Sequence, residues 1–260
     1  MSHGTAALLG AIAGATIFIG LPVGRIRGVS RAVRGMLNAM ATGVLLFLLW
    51  DILAHAAEPV QTALSGMHQG NRPFVGLVVI FAAGIGVGLL SLIYVNARLF
   101  GRTKDAEPAA PKTLAMMIAT GLGLHNLSEG LAIGQSAATG AIAFALVLVI
   151  GFALHNITEG FGIAAPLAAD TTMPSWGFLL TAGLIGGGPT FLGTVIGYAF
   201  TSTYVYVLFL ALAAGAIIYV IGEMFQLGRR FNSPIAMAWG LLLGFLLAYS
   251  TDLFLTYVGS

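Results

Sequence analysis

An all-α, polytopic membrane protein with eight transmembrane helices and both termini outside is the fold this sequence predicts. Three observations carry the reading. Of 260 residues, 58% are hydrophobic and 8% charged, where soluble domains run near ~45–50% and ~25%. Eight continuously apolar stretches occur, each close to the ~20 residues that a hydrocarbon core of ~30 Å requires. Every Lys and Arg lies outside those stretches. The alternating ten-residue pattern of a membrane β-barrel is absent.

In chain order the predicted spans are 5–21, 36–57, 74–97, 113–137, 141–166, 177–200, 204–226 and 235–258. The first follows directly on Met1 to Thr5 without the positive region of a secretory signal, so it reads as a retained span. Arg25, Arg27, Arg31 and Arg34 separate spans one and two. Arg98, Arg102, Lys104 and Lys112 separate three and four, and Arg229 and Arg230 separate seven and eight. Only Arg72 falls in an alternate loop. The resulting count, ten cations to one, puts the cation-bearing loops in the cytoplasm under the positive-inside rule. Segment 98–112, with Pro108 and Pro111, reads as a short cytoplasmic loop. Residues 1–260 form a single transmembrane domain, because no loop is long enough to hold a second one.

Composition also excludes function classes. The formal net charge is +2 and no basic run exceeds Arg229–Arg230, which leaves no footprint for nucleic acid. With no cysteine there is neither a disulfide framework nor a thiolate metal site.

Chemistry concentrates in spans four and five. Residues 121–134 read GLGLHNLSEGLAIG and residues 151–164 read GFALHNITEGFGIA, identical at seven of fourteen positions and sharing L-H-N-x-x-E-G. His125 and Glu129, and likewise His155 and Glu159, are four apart and so lie on one helix face. A short connection near Gly140 makes the two spans an antiparallel hairpin. Both histidines then lie about 22 Å from the turn at ~1.5 Å per residue, inside the hydrocarbon layer. Ionisable groups at that depth cost at least a few kcal/mol, so the four side chains should converge on one another or on a cation. Two imidazoles and two carboxylates suit Zn2+ and accept Fe2+, Mn2+, Co2+, Ni2+ or Cd2+. A structural hydrogen-bond pair within each helix is the competing reading. Bound metal should be lost on acidification, because the imidazoles must be neutral to ligate.

The paired H-N-x-x-E-G motifs, within eight spans and with both ends outside, resemble the ZIP (Zrt/Irt-like protein) family of divalent-metal transporters, in its bacterial form. The resemblance implies a multi-pass protein of the cell (inner) membrane, uptake of zinc or a related ion toward the cytoplasm, and a homodimer. It further implies an elevator-like motion of spans one, four, five and six against the rest. The metal is then substrate and no separate cofactor is expected. Matched residue by residue, His125, Glu129, His155 and Glu159 are the primary metal ligands. Asn126, Asn156 and the residue before Pro189 occupy positions that build a second, adjacent site in bacterial relatives. Here Asn156 and Gly188 stand where carboxylates are frequent, so one metal is expected at a time. Ser128 and Thr158 replace a frequent motif proline, which predicts weaker distortion of the two spans.

Other polar residues admit two readings each. Asp51 and His55 on span two, with Glu58 a turn further, form either an external metal-collecting site or a polar helix end. Glu223 near the inner end of span seven either receives a departing ion or is a snorkelling or Arg229-paired carboxylate. Gly186, Gly187, Gly188 and Pro189 either break span six at a substrate site or permit close helix packing. Asp252 has little support, and His3 and His68 are expected in solvent. Phe81, Tyr94, Phe144 and Tyr219 belong to lipid-facing or core surface.

An intramembrane metalloenzyme, a hydrolase or a di-iron oxidase, is the alternative. Against it, di-iron bundles use Glu-x-x-His in the opposite order and at a different spacing. Neither H-E-x-x-H nor G-x-S-x-G occurs. No G-x-x-x-x-G-K-[ST] loop exists for ATP. The lysines, Lys104 and Lys112, lie in or beside a loop, where no retinal Schiff base could form inside the bundle.

Overall fold

The computed structural model describes all residues except 27, 29, 67–72, 100–109, 141, 170, 171, 201 and 260. Arg27, Arg72, Arg102, Lys104, Pro108 and His68 therefore lie outside the described residues, as do the side chains of Arg98 and Phe144.

The described chain is helical, without a strand. Its α-helices are α1 His3–Ala15, α2 Ile17–Gly20, α3 Arg31–Ser65, α4 Pro73–Leu99, α5 Pro111–Ala138, α6 Ile142–Ala164, α7 Trp176–Ala199, α8 Thr203–Arg229 and α9 Pro234–Gly259. The boundaries follow local chemistry. Ser2, Ser30, Ser175 and Ser202 each accept a hydrogen bond from a first-turn amide of α1, α3, α7 and α8, replacing a partner the helix cannot supply. Pro111 opens α5, where a missing N–H costs nothing. Gly140 turns α5 into α6 at φ +83°, a conformation that glycine adopts without a Cβ penalty. The first predicted span is interrupted at Thr16, whose hydroxyl donates to the carbonyls of Ala13 and Ala153 at 2.7 Å.

Seven helical stretches among the described residues are long and apolar enough to cross a membrane. The predicted fourth span, now α5, has the length, with 28 residues. Its His, Asn, Ser, Glu and Gln side chains keep it below the hydropathy of the others. A helix enclosed by protein needs no lipid-compatible surface, and α5 is surrounded by α6, α7 and α8. The helices also outrun several predicted spans. α3 has 35 residues where 36–57 was expected, and the segment read as loop 98–112 is shortened by α4 reaching Leu99 and α5 starting at Pro111.

Helix packing divides the bundle in two. α1, α2, α5, α6 and α7 pack on one another, α3 packs on α4, α8 and α9, and α4 packs on α8. Within each group backbones approach so closely that a Cβ would strike a carbonyl of the neighbouring helix. Gly14 and Gly187, Gly130 against Thr190, and Gly160 against Ile17 do this in the first group. Gly43 against Leu241 and Gly88 against Leu212 do it in the second. Small residues that bring helices together are the main packing device in lipid. Between the groups α5 meets α8, and α6 meets α3 and α9. The one described glycine there, Gly121, would place a Cβ 3.3 Å from the Ala216 methyl, an approach made by a side chain.

The N-terminus, the α5–α6 turn and the α7–α8 connection share one end of the bundle, where the Tyr198 hydroxyl donates to the Met1 carbonyl at 2.6 Å. The described cations gather at the other. There Arg25 donates to the Pro174 carbonyl and lies 4.5 Å over the Trp176 ring, and Lys112 reaches Thr172 at 3.1 Å.

Candidate metal centre

At 100° per residue, each copy of L-H-N-x-x-E-G presents His and Glu on one helix face and Asn and Gly on the next. The structure uses both faces. Antiparallel packing of α5 and α6 sets the His125 and His155 rings 6.0 Å apart, centroid to centroid. His125 Nε2 lies 3.3 Å from Glu129 Oε1 and 4.0 Å from Glu159 Oε1, and His155 Nε2 lies 3.9 Å from Glu159 Oε1. Ligand atoms of His125, Glu129 and His155 all fall within 4.8 Å of one another. Glu159 stands slightly apart because Asn126 Nδ2 holds its Oε2 at 2.7 Å.

All four side chains are buried, Glu159 completely. Yet His125 Nε2, His155 Nε2, Glu129 Oε2 and Glu159 Oε1 have no hydrogen-bond partner. Each such buried orphan costs about 1–3 kcal/mol, and a native interior leaves few. Two unsatisfied imidazole nitrogens facing two unsatisfied carboxylate oxygens form a donor set that a divalent cation would complete, since these are ordinary ligands of zinc and its neighbours.

The second face anchors the first. Asn126 Nδ2 also donates to the Gly186 carbonyl of α7 at 3.0 Å, three residues before Pro189 interrupts that helix's bonding. Asn156 Nδ2 donates to the Ala13 carbonyl of α1 at 2.9 Å, beside the interruption at Thr16. Gly130 packs on α7 and Gly160 on the α1–α2 junction. Both asparagines, read from sequence as weaker ligand candidates, thus spend their amide nitrogens as braces. Their Oδ1 atoms are buried and unpartnered. This role was missed at the sequence level, although the signal was present: Asn and Gly repeat with His and Glu in both copies. α7 runs as one helix through Gly186, Gly187, Gly188 and Pro189, so the expected break is absent, while Gly187 packs closely on Gly14 and the Gly186 carbonyl braces the site. A Cβ at Gly188 would meet open space. α5 and α6 run unbroken through the motifs, with Ser128 and Thr158 back-bonded to Leu124 and His155 carbonyls.

A cavity of about 630 Å3 leads to the cluster from the end that carries the α5–α6 turn. His125 and Glu129 line its depth, Gln135, Thr139, Ser202 and Thr203 lie toward its mouth, and Asp51 and His55 face it from α3. Asp51 Oδ1 is 3.2 Å from His55 Nδ1. The structure therefore brings the span-two pair into the same space as the primary cluster. Glu58 and Glu223 are not part of the lining. Glu223 is buried on α8. His3, expected in solvent, is exposed but packs on the Tyr198 ring at 3.8 Å.

A family model described as ZIP zinc transporter matches residues 100–251, more than half of the chain. The chain belongs to the ZIP family. The match contains both motifs, α5 through α8 and most of α9. No individual curated protein matches the sequence. ZIP proteins are divalent-metal transporters, so the buried His and Glu residues lie in a membrane transporter, and an enzymatic reading finds no support at the family level.

Proposed function

We propose that this ZIP protein carries divalent cations, zinc foremost, across the membrane toward the cytoplasm, with His125, Glu129, His155 and Glu159 as ligands. The observation that carries the reading is the buried set of unpartnered imidazole nitrogens and carboxylate oxygens, of which His125 and Glu129 line a cavity that also holds Asp51 and His55. The cavity mouth, at the end away from the cations, faces outside under the positive-inside rule, which makes eight spans with both termini outside. Asp51 and His55 gather the hydrated ion. It sheds water stepwise for the four ligands, and Glu223 receives it on the inner side. Asn156 and Gly188 supply no carboxylate, so one ion travels at a time.

The division of the bundle supports an elevator-like step. All four ligands and both braces belong to α1, α2, α5, α6 and α7, joined by backbone contacts at glycine. Across the seam to α3, α4, α8 and α9 no described glycine meets a neighbouring carbonyl, and contacts made through side chains exchange neighbours at lower cost than interlocked backbones. The homodimer would cover part of the apolar surface on α4 and α9, the two least buried spans.

Purified protein in liposomes loaded with a metal-sensitive dye tests the reading. Zn2+ should fill wild-type vesicles, and His155→Ala combined with Glu159→Ala should reduce filling to the empty-liposome rate. Equal filling by wild type and double variant would refute the assignment.

A further inference from the structure

At the cationic end, remote from the His and Glu cluster, a second cavity of about 420 Å3 opens between α3, α8 and α9 beneath the α8–α9 turn. Met224, Phe225, Met237 and Leu241 form an apolar trough, and Arg229 stands at its rim. The lining holds neither carboxylate nor imidazole, so a metal ion has no ligands there.

Two features point to an amphiphilic occupant. Asn38 lines the cavity and is only 1% exposed. Its Nδ2 donates to the Met224 carbonyl at 3.1 Å, while its Oδ1 has no partner and asks for a donor. Thr42, the nearest hydroxyl on the same helix face, donates instead to the Asn38 carbonyl at 2.9 Å. Meanwhile Arg229 makes no ion pair among the described residues, and Arg34, one turn before Asn38, has a buried Nε without a partner. Phe225 on the flank is 41% exposed, which opens the trough sideways toward lipid. A single bridging water takes ~30 Å3, far less than this space, and water gains nothing from the methionine wall.

We propose that this crevice holds one phospholipid of the leaflet at the cationic end. Its phosphate lies on Arg229, a headgroup hydroxyl donates to Asn38 Oδ1, and an acyl chain leaves along Phe225, Met237 and Leu241. Basic pockets between transmembrane helices hold lipid headgroups by this combination of charge and apolar contact. The bound lipid ties α3 to α8 and α9 within one packing group.

Native mass spectrometry of the full chain, released from detergent after titration with phosphatidylglycerol or phosphatidylcholine, tests this. Phosphatidylglycerol offers phosphate and hydroxyl donors, whereas the choline headgroup has no N–H or O–H. One phosphatidylglycerol per chain should be retained at least about fivefold more strongly than phosphatidylcholine. Arg229→Gln, an exposed position that leaves the core intact, should weaken retention about fivefold. Asn38→Leu should abolish the preference between the two lipids. Equal retention of both lipids by wild type, or unchanged retention by Arg229→Gln, overturns the proposal. Displacement of the lipid by millimolar inorganic phosphate also overturns it, since that would mark a simple anion site.

Discussion

Asn126 separates a brace from a ligand, and one substitution tells them apart. Its Nδ2 faces two acceptors, Glu159 Oε2 at 2.7 Å and the Gly186 carbonyl at 3.0 Å, an environment only the amide nitrogen satisfies. The bond to Glu159 is buried and charge-assisted, worth about 1.5–3 kcal/mol, and partners that orient a metal ligand typically contribute ~10–100-fold in affinity. Asn126→Leu should therefore raise the Kd for Zn2+ by about 10–100-fold. Asn126→Asp should do at least as much harm, because it sets a carboxylate against the Glu159 carboxylate and the Gly186 carbonyl where a donor stood. A metal-ligating asparagine predicts the reverse order, since aspartate is the stronger oxygen ligand. Competition between protein and a fluorescent chelator for Zn2+, in detergent, reads the Kd directly, and a thermal melt confirms that each variant is folded. Wild-type or tighter affinity in Asn126→Asp would refute the brace.

Three further outcomes follow from the packing and the cavity. Gly130→Ala drives a methyl into the Thr190 carbonyl and should cost about 1–3 kcal/mol of stability, the usual range for overpacking; an unchanged thermal melt would contradict the close α5–α7 contact. The chain has no native cysteine, so matched pairs can test the seam. Gly121→Cys with Ala216→Cys spans it, Gly24→Cys with Ala164→Cys joins the turn that follows α2 to the end of α6, and both start from a Cβ separation of 3.3 Å, near the disulfide range. Oxidation should stop Zn2+ uptake in the first pair and spare it in the second, and equal loss in both would exclude relative movement of the groups. Asp51→Asn with His55→Ala should slow uptake at limiting Zn2+ about tenfold or more, as for other outer partners of a metal site, with little change at saturation. A fall confined to the saturated rate would place the pair on a later step.

What could be read from sequence was set by periodicity and repetition. Continuous apolar runs pointed to the helices, seven of which are long and apolar enough to cross a membrane, and recurrence of His and Glu four apart located the cluster, since both signals are local and helical. α5 shows the limit of hydropathy, because a helix enclosed by protein can carry polar residues that a lipid-facing one cannot. Asp51 and His55 were visible as a pair, but their direction depends on how α3 packs against α5 and α8, which no local pattern encodes. The partition into two groups was present in the glycine positions, yet a glycine does not name the helix it touches. The second face of the motif was legible in principle. Asn126 and Asn156 read as ligand candidates in the sequence because an amide offers both a donor and an acceptor, and their neighbours decide which is used.

The two motif copies fasten their helices to neighbours in parallel ways. α5 stands to α7 as α6 stands to the α1–α2 junction. In each pair the motif glycine admits a neighbouring backbone, and the motif asparagine takes up a carbonyl of that neighbour. Each asparagine thus fixes its own helix to a neighbour, Asn126 to α7 through the Gly186 carbonyl and Asn156 to α1 through the Ala13 carbonyl. Through these glycines and asparagines both sides of the cluster are fastened to α1, α2 and α7. Any displacement of that group relative to α3, α4, α8 and α9 must then carry His125, Glu129, His155 and Glu159 together, with their mutual distances kept. Asp51 and His55 belong to the opposite group, and their relation to the cluster is the one that such a displacement changes.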